Sequence, residues 1–224
     1  MNENQLISKI ENGQIKGMIF DLDGTLIDSA SIWDQVDQEF LGERGFDVPD
    51  DYVEAISPLG ARNAAIYTVD RFGLDEDIDD IVEIWIDMAK DKYAVEVLCK
   101  PYAKEFVKKM SEAGIKLSIA TSSDRQLFMS TLERENLLPF FEHIITVDQV
   151  DRGKGYPDIY LKAAEKMELH PEQCVVFEDI LAGVRGAKLG NFNVVAVADV
   201  KSLDKKEILS KESDLYINGF EELL

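Results

Sequence analysis

The sequence predicts an α/β protein with a central, mainly parallel sheet and an all-helical insertion after the first strand. Three observations predict it. Short β-branched apolar runs alternate with longer stretches whose apolar residues recur every three or four positions. The short runs are apolar on successive residues, as strands covered on both faces require. Between residues 30 and 98 the alternation stops, and only helical spacing remains.

Taken in order, residues 16–20 (KGMIF) form the first strand. The insertion follows, with Ile32, Val36 and Phe40 on one helical face and Ile78, Ile81, Val82, Trp85, Ile86 and either Met88 or Ala89 on another. Residues 101–113 form a helix that Gly114 ends, because a glycine enters the left-handed region without a Cβ clash. Strand 115–120 (IKLSIA), helix 125–135, strand 143–147 (HIITV) and helix 157–167 come next. Strand 174–177 (CVVF), helix 180–189 with Gly190 at its end, strand 193–197 (NVVAV) and a short strand 215–217 complete the alternation.

Residues 30–99 hold 18 acidic residues against 5 basic. This shift marks residues 30–98 as a separate helical subdomain, set into a core made of 1–29 and 99–224. The acidic run 75–80 (DEDIDD) reads as a solvated helix start, where carboxylates suit the helix dipole. Trp33 and Trp85 lie at helical spacing and read as subdomain core.

Across 224 residues, 44 Asp and Glu stand against 24 Lys and Arg, a net charge of -20. A field of that sign repels polyanions, which excludes nucleic acid and anionic membrane surfaces as partners. Residues 1–14 lack the apolar region of a secretory signal. No apolar run approaches the roughly 20 residues of a membrane span. Cys99 and Cys174 are far apart with no CxxC pattern, so they read as reduced, packed thiols in a cytoplasmic protein.

The chemistry gathers at strand ends, where open α/β sheets bind ligands. Asp21-Leu22-Asp23-Gly24-Thr25 follows the first strand, Thr121-Ser122-Ser123 the second, Arg152-Gly153-Lys154-Gly155 the third, and Glu178-Asp179 the fourth. Each has a bland alternative as an Asp-Gly turn, an N-cap, a solvated lysine or an edge acid. Four such groups at one edge of one sheet call for a common ligand. Together they describe a Mg²⁺ site with Asp21 and Asp179 as oxygen ligands and a phosphoryl group against it. One aspartate is then free to act as nucleophile, since metal and lysine offset its repulsion of an anionic phosphate. The other, two residues away, can protonate a leaving alkoxide and later deprotonate a water.

The order DLDGT, TSS, lysine, ED resembles the four motifs of the haloacid dehalogenase superfamily of phosphohydrolases, over essentially the whole chain. The insertion resembles the superfamily's first class of cap, and the chain is similar to its beta-phosphoglucomutase-like branch. The resemblance implies a Rossmann-like three-layer core beneath an all-helical cap. It implies that Asp21 is the phosphorylated nucleophile and a metal ligand, and that Asp23 is the general acid/base, its backbone carbonyl facing the metal. Thr121 and Lys154 would hold the phosphoryl group with the Ser122 N–H, and Asp179 would complete the Mg²⁺ site with Glu178 beside it or behind it. Arg62, in the helix-breaking stretch 58–62 (PLGAR), would either reach the far end of the substrate or pair with a nearby acid. His143 and His170 stand outside the motifs and take no catalytic role.

Two departures from the branch matter. Asp124, followed by Arg125, stands where its mutases carry a lysine for a second phosphate, and Lys154-Gly155-Tyr156-Pro157 replaces a frequent Lys-Pro. The implied function is a Mg²⁺-dependent phosphatase hydrolysing a small phosphorylated metabolite, a sugar or polyol phosphate, through an aspartyl-phosphate. A sugar-phosphate mutase is the alternative, which Asp124 disfavours. A non-catalytic module binding a phosphorylated ligand is the third reading, and intact Asp21, Asp23, Lys154 and Asp179 speak against it.

Overall fold

Residues 1–224 are described by a computed structural model. The chain opens with α1 (Glu3–Glu11), β1 (Gly17–Phe20) and β2 (Ile27–Asp28). Four consecutive helices follow: α2 (Ala30–Glu43), α3 (Tyr52–Ile56), α4 (Ala61–Phe72) and α5 (Ile78–Val95). Then come β3 (Leu98–Cys99), α6 (Ala103–Glu112), β4 (Lys116–Thr121), α7 (Arg125–Arg134) and β5 (His143–Thr146). The last third holds α8 (Asp158–Lys166), β6 (Cys174–Glu178), α9 (Leu181–Leu189), β7 (Asn193–Val197), α10 (Lys206–Glu212) and β8 (Leu215–Ile217).

Six strands form one sheet in the order β5-β4-β1-β6-β7-β8, with every neighbouring pair parallel. Successive side chains point to opposite faces, so each strand feeds two cores. Met18, Phe20, Val175 and Phe177 join α6 and α7 on one face, while Ile19, Val176 and Val194 join α8 and α9 on the other. The first face is tied by aromatic contacts, with Phe20 stacked on Phe177 at 4.6 Å and Phe106 edge-on to both. The result is the α/β, three-layer architecture that alternation predicts. Because β1 lies between β4 and β6, the chain turns opposite ways on its two sides, and a crevice opens at the carboxyl ends there.

Three local features differ from the sequence reading. Asn2 caps α1 through a reciprocal bond with Gln5, a helix that the mixed polarity of its segment conceals. Ile27–Asp28 pairs antiparallel with Leu98–Cys99, a ribbon at the two ends of the helical stretch too short to carry a periodic signal. Gly114 adopts φ +77° as expected, but Gly190 does not enter the left-handed region; its neighbour Asn191 does, at φ 62°. Gly190 is needed for space, since a Cβ there would lie 2.8 Å from the Phe192 ring.

The acidic run does start α5, with Asp77 accepting the Asp79 N–H at 2.8 Å. Both cysteines are free thiols, Cys174 buried and Cys99 half-buried. No helix is long and apolar enough to cross a membrane.

Candidate active site

β1, β4 and β6 run side by side and end together, so the residues that follow them converge. Asp21 is locked to its neighbour by its N–H, which donates to the Phe177 carbonyl at 3.0 Å. Asp21, Glu178 and Asp179 are all buried, and each offers a carboxylate oxygen within 4.8 Å of the others. Lys154 is buried among them, its ammonium bonded to Asp21 and, at 2.6 Å, to Glu178 Oε1. Tyr160 donates its hydroxyl to the same Glu178 oxygen at 2.7 Å. Glu178 Oε2 is buried with no partner at all.

The electrostatics follow from this crowding. Burial pushes the Asp21 carboxyl up to about 7, with Glu178 and Asp23 adding to the effect against the opposing pull of Lys154. Asp179 is raised for the same reason, by burial first and then by Asp21, Glu178 and Asp199. Burial works to lower Lys154, but its two carboxylate partners outweigh it and hold the ammonium charged. One buried lysine thus faces three buried carboxylates. The imbalance and the all-oxygen donor set fit a divalent cation of the hard kind.

Asp23 lies outside this cluster. Its two carboxylate oxygens accept hydroxyl groups from Ser29 and Tyr93 on one side and Ser123 on the other, which fixes its rotamer. The turn that follows the second aspartate needs a glycine. Gly24 sits at φ +83°, and a Cβ there would lie 2.3 Å from Asp179 Oδ2. Gly24→Ala is therefore expected to cost about 1–3 kcal/mol of stability, the scale of one strained backbone residue. Urea unfolding checks this; a cost near zero would mean that the turn relaxes freely.

Thr121 and Ser122 reach the same place from β4. The Thr121 hydroxyl accepts the Ser123 N–H at 3.0 Å, while the Ser122 hydroxyl is buried and unpartnered. Asp124 is spent as the N-cap of α7, accepting the Gln126 N–H at 2.8 Å. These residues line a cavity of about 190 Å³ together with Asp21, Asp23, Lys154 and Asp179. The opposite wall is helical, with Trp33 and Asp37 from α2, Ile56 from α3, Ala64 from α4 and Trp85 from α5. The loop before α4 closes one side. Its Pro58 carbonyl accepts the Lys154 N–H at 3.1 Å, and Gly153 permits the approach, since a Cβ there would sit 2.5 Å from that oxygen.

The structure thus brings Asp21, Asp23, Thr121, Ser122, Lys154 and Asp179 to one cavity, sets Glu178 out of its lining and bonded to Lys154, and leaves Arg62 out. Arg62 is exposed at the start of α4 and pairs with Asp79, the second alternative that its sequence context offered. Leu59 and Ala61 of the same stretch line the cavity instead. Trp33 and Trp85 are not core alone, since both edge the cavity. Sequence reasoning missed Ser29, Tyr93 and Asp37. Tyr93 meets Asp23 from the far end of α5, a contact no local pattern announces.

A family model described as haloacid dehalogenase-like hydrolase matches residues 18–197. Hexitol phosphatase A of Escherichia coli (strain K12) is 28% identical over 213 residues, 93% of each chain. Protein SUPPRESSOR OF QUENCHING 1, chloroplastic, of Arabidopsis thaliana is 31% identical over 192 residues, 83% of this chain but only 18% of that much longer one. Among solved structures, CbbY from Rhodobacter sphaeroides in complex with phosphate superposes with a TM-score of 0.81 at 24% identity, over 93% of this chain and 96% of that one.

Proposed function

The chain belongs to the haloacid dehalogenase-like hydrolase family, and we propose that it is a Mg²⁺-dependent phosphatase of a small sugar or polyol phosphate, acting through an aspartyl-phosphate. Relatives with phosphatase names support hydrolysis of phosphate monoesters. The single observation that carries the mechanism is the buried lysine set against three carboxylates, with a second aspartate oriented two residues away.

In this reading Asp21, the Asp23 backbone carbonyl and Asp179 hold the Mg²⁺, with Glu178 anchoring Lys154 behind them. The ion supplies charge to offset the anionic phosphate. Lys154, the Thr121 hydroxyl and the Ser122 N–H bind the phosphoryl oxygens. The Asp21 carboxylate attacks phosphorus as the ester P–O bond breaks, and the Asp23 carboxyl passes its proton to the departing alkoxide. Asp23, now a carboxylate, takes a proton from water. That water attacks phosphorus, the bond to Asp21 breaks, and inorganic phosphate leaves.

Residues 30–98 act as the cap over a core of 1–29 and 99–224, hinged at the short Ile27–Asp28 and Leu98–Cys99 ribbon. A cavity of about 190 Å³ suits a small metabolite, being below the ~300–1,000 Å³ of drug-sized sites. Asp124 supplies no cation for a second phosphate, which favours water as the acceptor over a second substrate hydroxyl.

The test is phosphate release from sugar phosphates, polyol phosphates and nucleotides, with and without Mg²⁺. Release confined to the Mg²⁺ samples is expected, and none from any ester would end the phosphatase reading. Asp23→Asn is expected to slow turnover by about 10²-fold or more, the scale of a lost acid/base. Normal turnover in that variant would reduce Asp23 to a structural part.

A further inference from the structure

The loop before α4 belongs to the helical insertion, yet it sits directly on the core segment that carries Lys154. Two glycines, one from each side, make the fit. Gly60 lies at φ -75° and ψ 162°, a conformation open to any residue, so glycine stands there for space. A Cβ at Gly60 would lie 2.6 Å from Val147 Cγ2, just past the end of β5. Val147 is buried and β-branched, hence stiff, and cannot turn aside. Across the seam, a Cβ at Gly153 would lie 2.5 Å from the Pro58 carbonyl oxygen, the acceptor of the Lys154 N–H at 3.1 Å.

Lys154 needs such a support. Its carboxylate partners Asp21 and Glu178 stand at strand ends that the sheet fixes, whereas residues 150–157 carry no strand or helix of their own. The core holds the lysine backbone from one side, where Gly186 of α9 leaves room for the Lys154 carbonyl, 2.0 Å from where a Cβ would stand. The insertion holds the other side through Pro58. The ammonium is buried and meets both carboxylates at once, so a displaced backbone gives up at least one of those bonds.

We propose that the 58–60 loop is a positioning element for Lys154, and that seating it on Val147 and Gly153 sets the lysine for the phosphoryl group. The proposal rests on the phosphatase reading and adds to it that the insertion acts on the chemistry through the backbone of the lysine, besides walling the cavity.

The test is steric rescue. Gly60→Ala is expected to lower kcat/KM about tenfold or more on the ester that wild type cleaves best, the kind of loss a small misplacement causes. Adding Val147→Ala removes the atom 2.6 Å away and leaves Val147 Cβ at 3.8 Å, an ordinary contact, so most of the activity should return. Gly153→Ala should lose activity too, but Val147→Ala should not restore it, because its clash is with Pro58. Amide hydrogen exchange reads the seat directly: the Lys154 N–H should exchange about tenfold or more faster in Gly60→Ala and recover in the double variant, while the Asp21 N–H bonded to Phe177 stays protected. Wild-type kinetics in Gly60→Ala, a loss that Val147→Ala does not relieve, or an unchanged Lys154 amide overturns the proposal. If Gly60→Ala fails to fold, the Lys154 amide of Gly153→Ala decides by the same criterion. If wild type releases phosphate from no ester, the phosphatase reading fails by itself, and the seat is judged by amide exchange alone.

Discussion

Asp21→Asn is expected to lower kcat/KM for phosphate monoesters by about 10⁴-fold or more, the scale at which enzymes lose rate when a nucleophile is removed, while the fold survives. The amide keeps the shape of the carboxylate but cannot form the acyl phosphate. Stability should hold because the cluster carries more negative charge than its lysine can balance. Lys154 keeps its bond to Glu178 Oε1 at 2.6 Å, and one of three crowded carboxylates is gone. Asp21 also stays attached to β6 through its backbone bond to Phe177. Phosphate release and a thermal melt on the same preparation check both halves. Turnover close to wild type would remove Asp21 from the chemistry, and a collapsed melting midpoint would show that its charge supports the fold.

Lys154→Met is expected to do the reverse, costing about 3–5 kcal/mol of stability in metal-free protein, the scale for breaking a buried ion pair from one side. Asp21, Glu178 and Asp179 would then share a buried site with no internal cation. The cost depends on pH with a definite sign. The wild-type folded state already raises Asp21 to about 7, and without the lysine the folded-state values rise further. A carboxyl raised on folding is destabilising once it must ionise, so stability falls as pH climbs from about 4 through the folded value. The difference between variant and wild type should therefore be largest near pH 8 and shrink toward pH 5, where Asp21 and Asp179 are protonated. Mg²⁺ should restore part of it at pH 8 by replacing the lost charge. Urea unfolding at both pH values, with EDTA or excess Mg²⁺, measures this. Equal differences at pH 5 and pH 8, untouched by Mg²⁺, would show that the lysine acts through packing alone.

Much of this site could be read along the chain, for a structural reason. In a parallel sheet the chain leaves each strand at the same edge, so residues that follow KGMIF, IKLSIA and CVVF meet in space however far apart they lie in sequence. Lys154 was legible for its glycine neighbours, although what buries it is the Asp21 and Glu178 pair and the approach of Pro58. Arg62 shows the limit. Its place in a helix break left a substrate contact and a nearby acid both open, and only the fold shows that Asp79, in the first turn of α5, pairs with it at the surface.

By itself the sequence determined the alternation of strands and helices, the acidic helical insertion and the set of groups at the strand ends, because periodicity and strand-end position are local properties of a chain. Only the tertiary structure decided what surrounds them. Ser29, Ser123 and Tyr93 converge on Asp23 from three elements, and Asp37 and Trp85 line the cavity from two helices. Those arrangements depend on how α2 and α5 pack over the sheet, and a hydrogen bond across 70 residues is fixed by that packing.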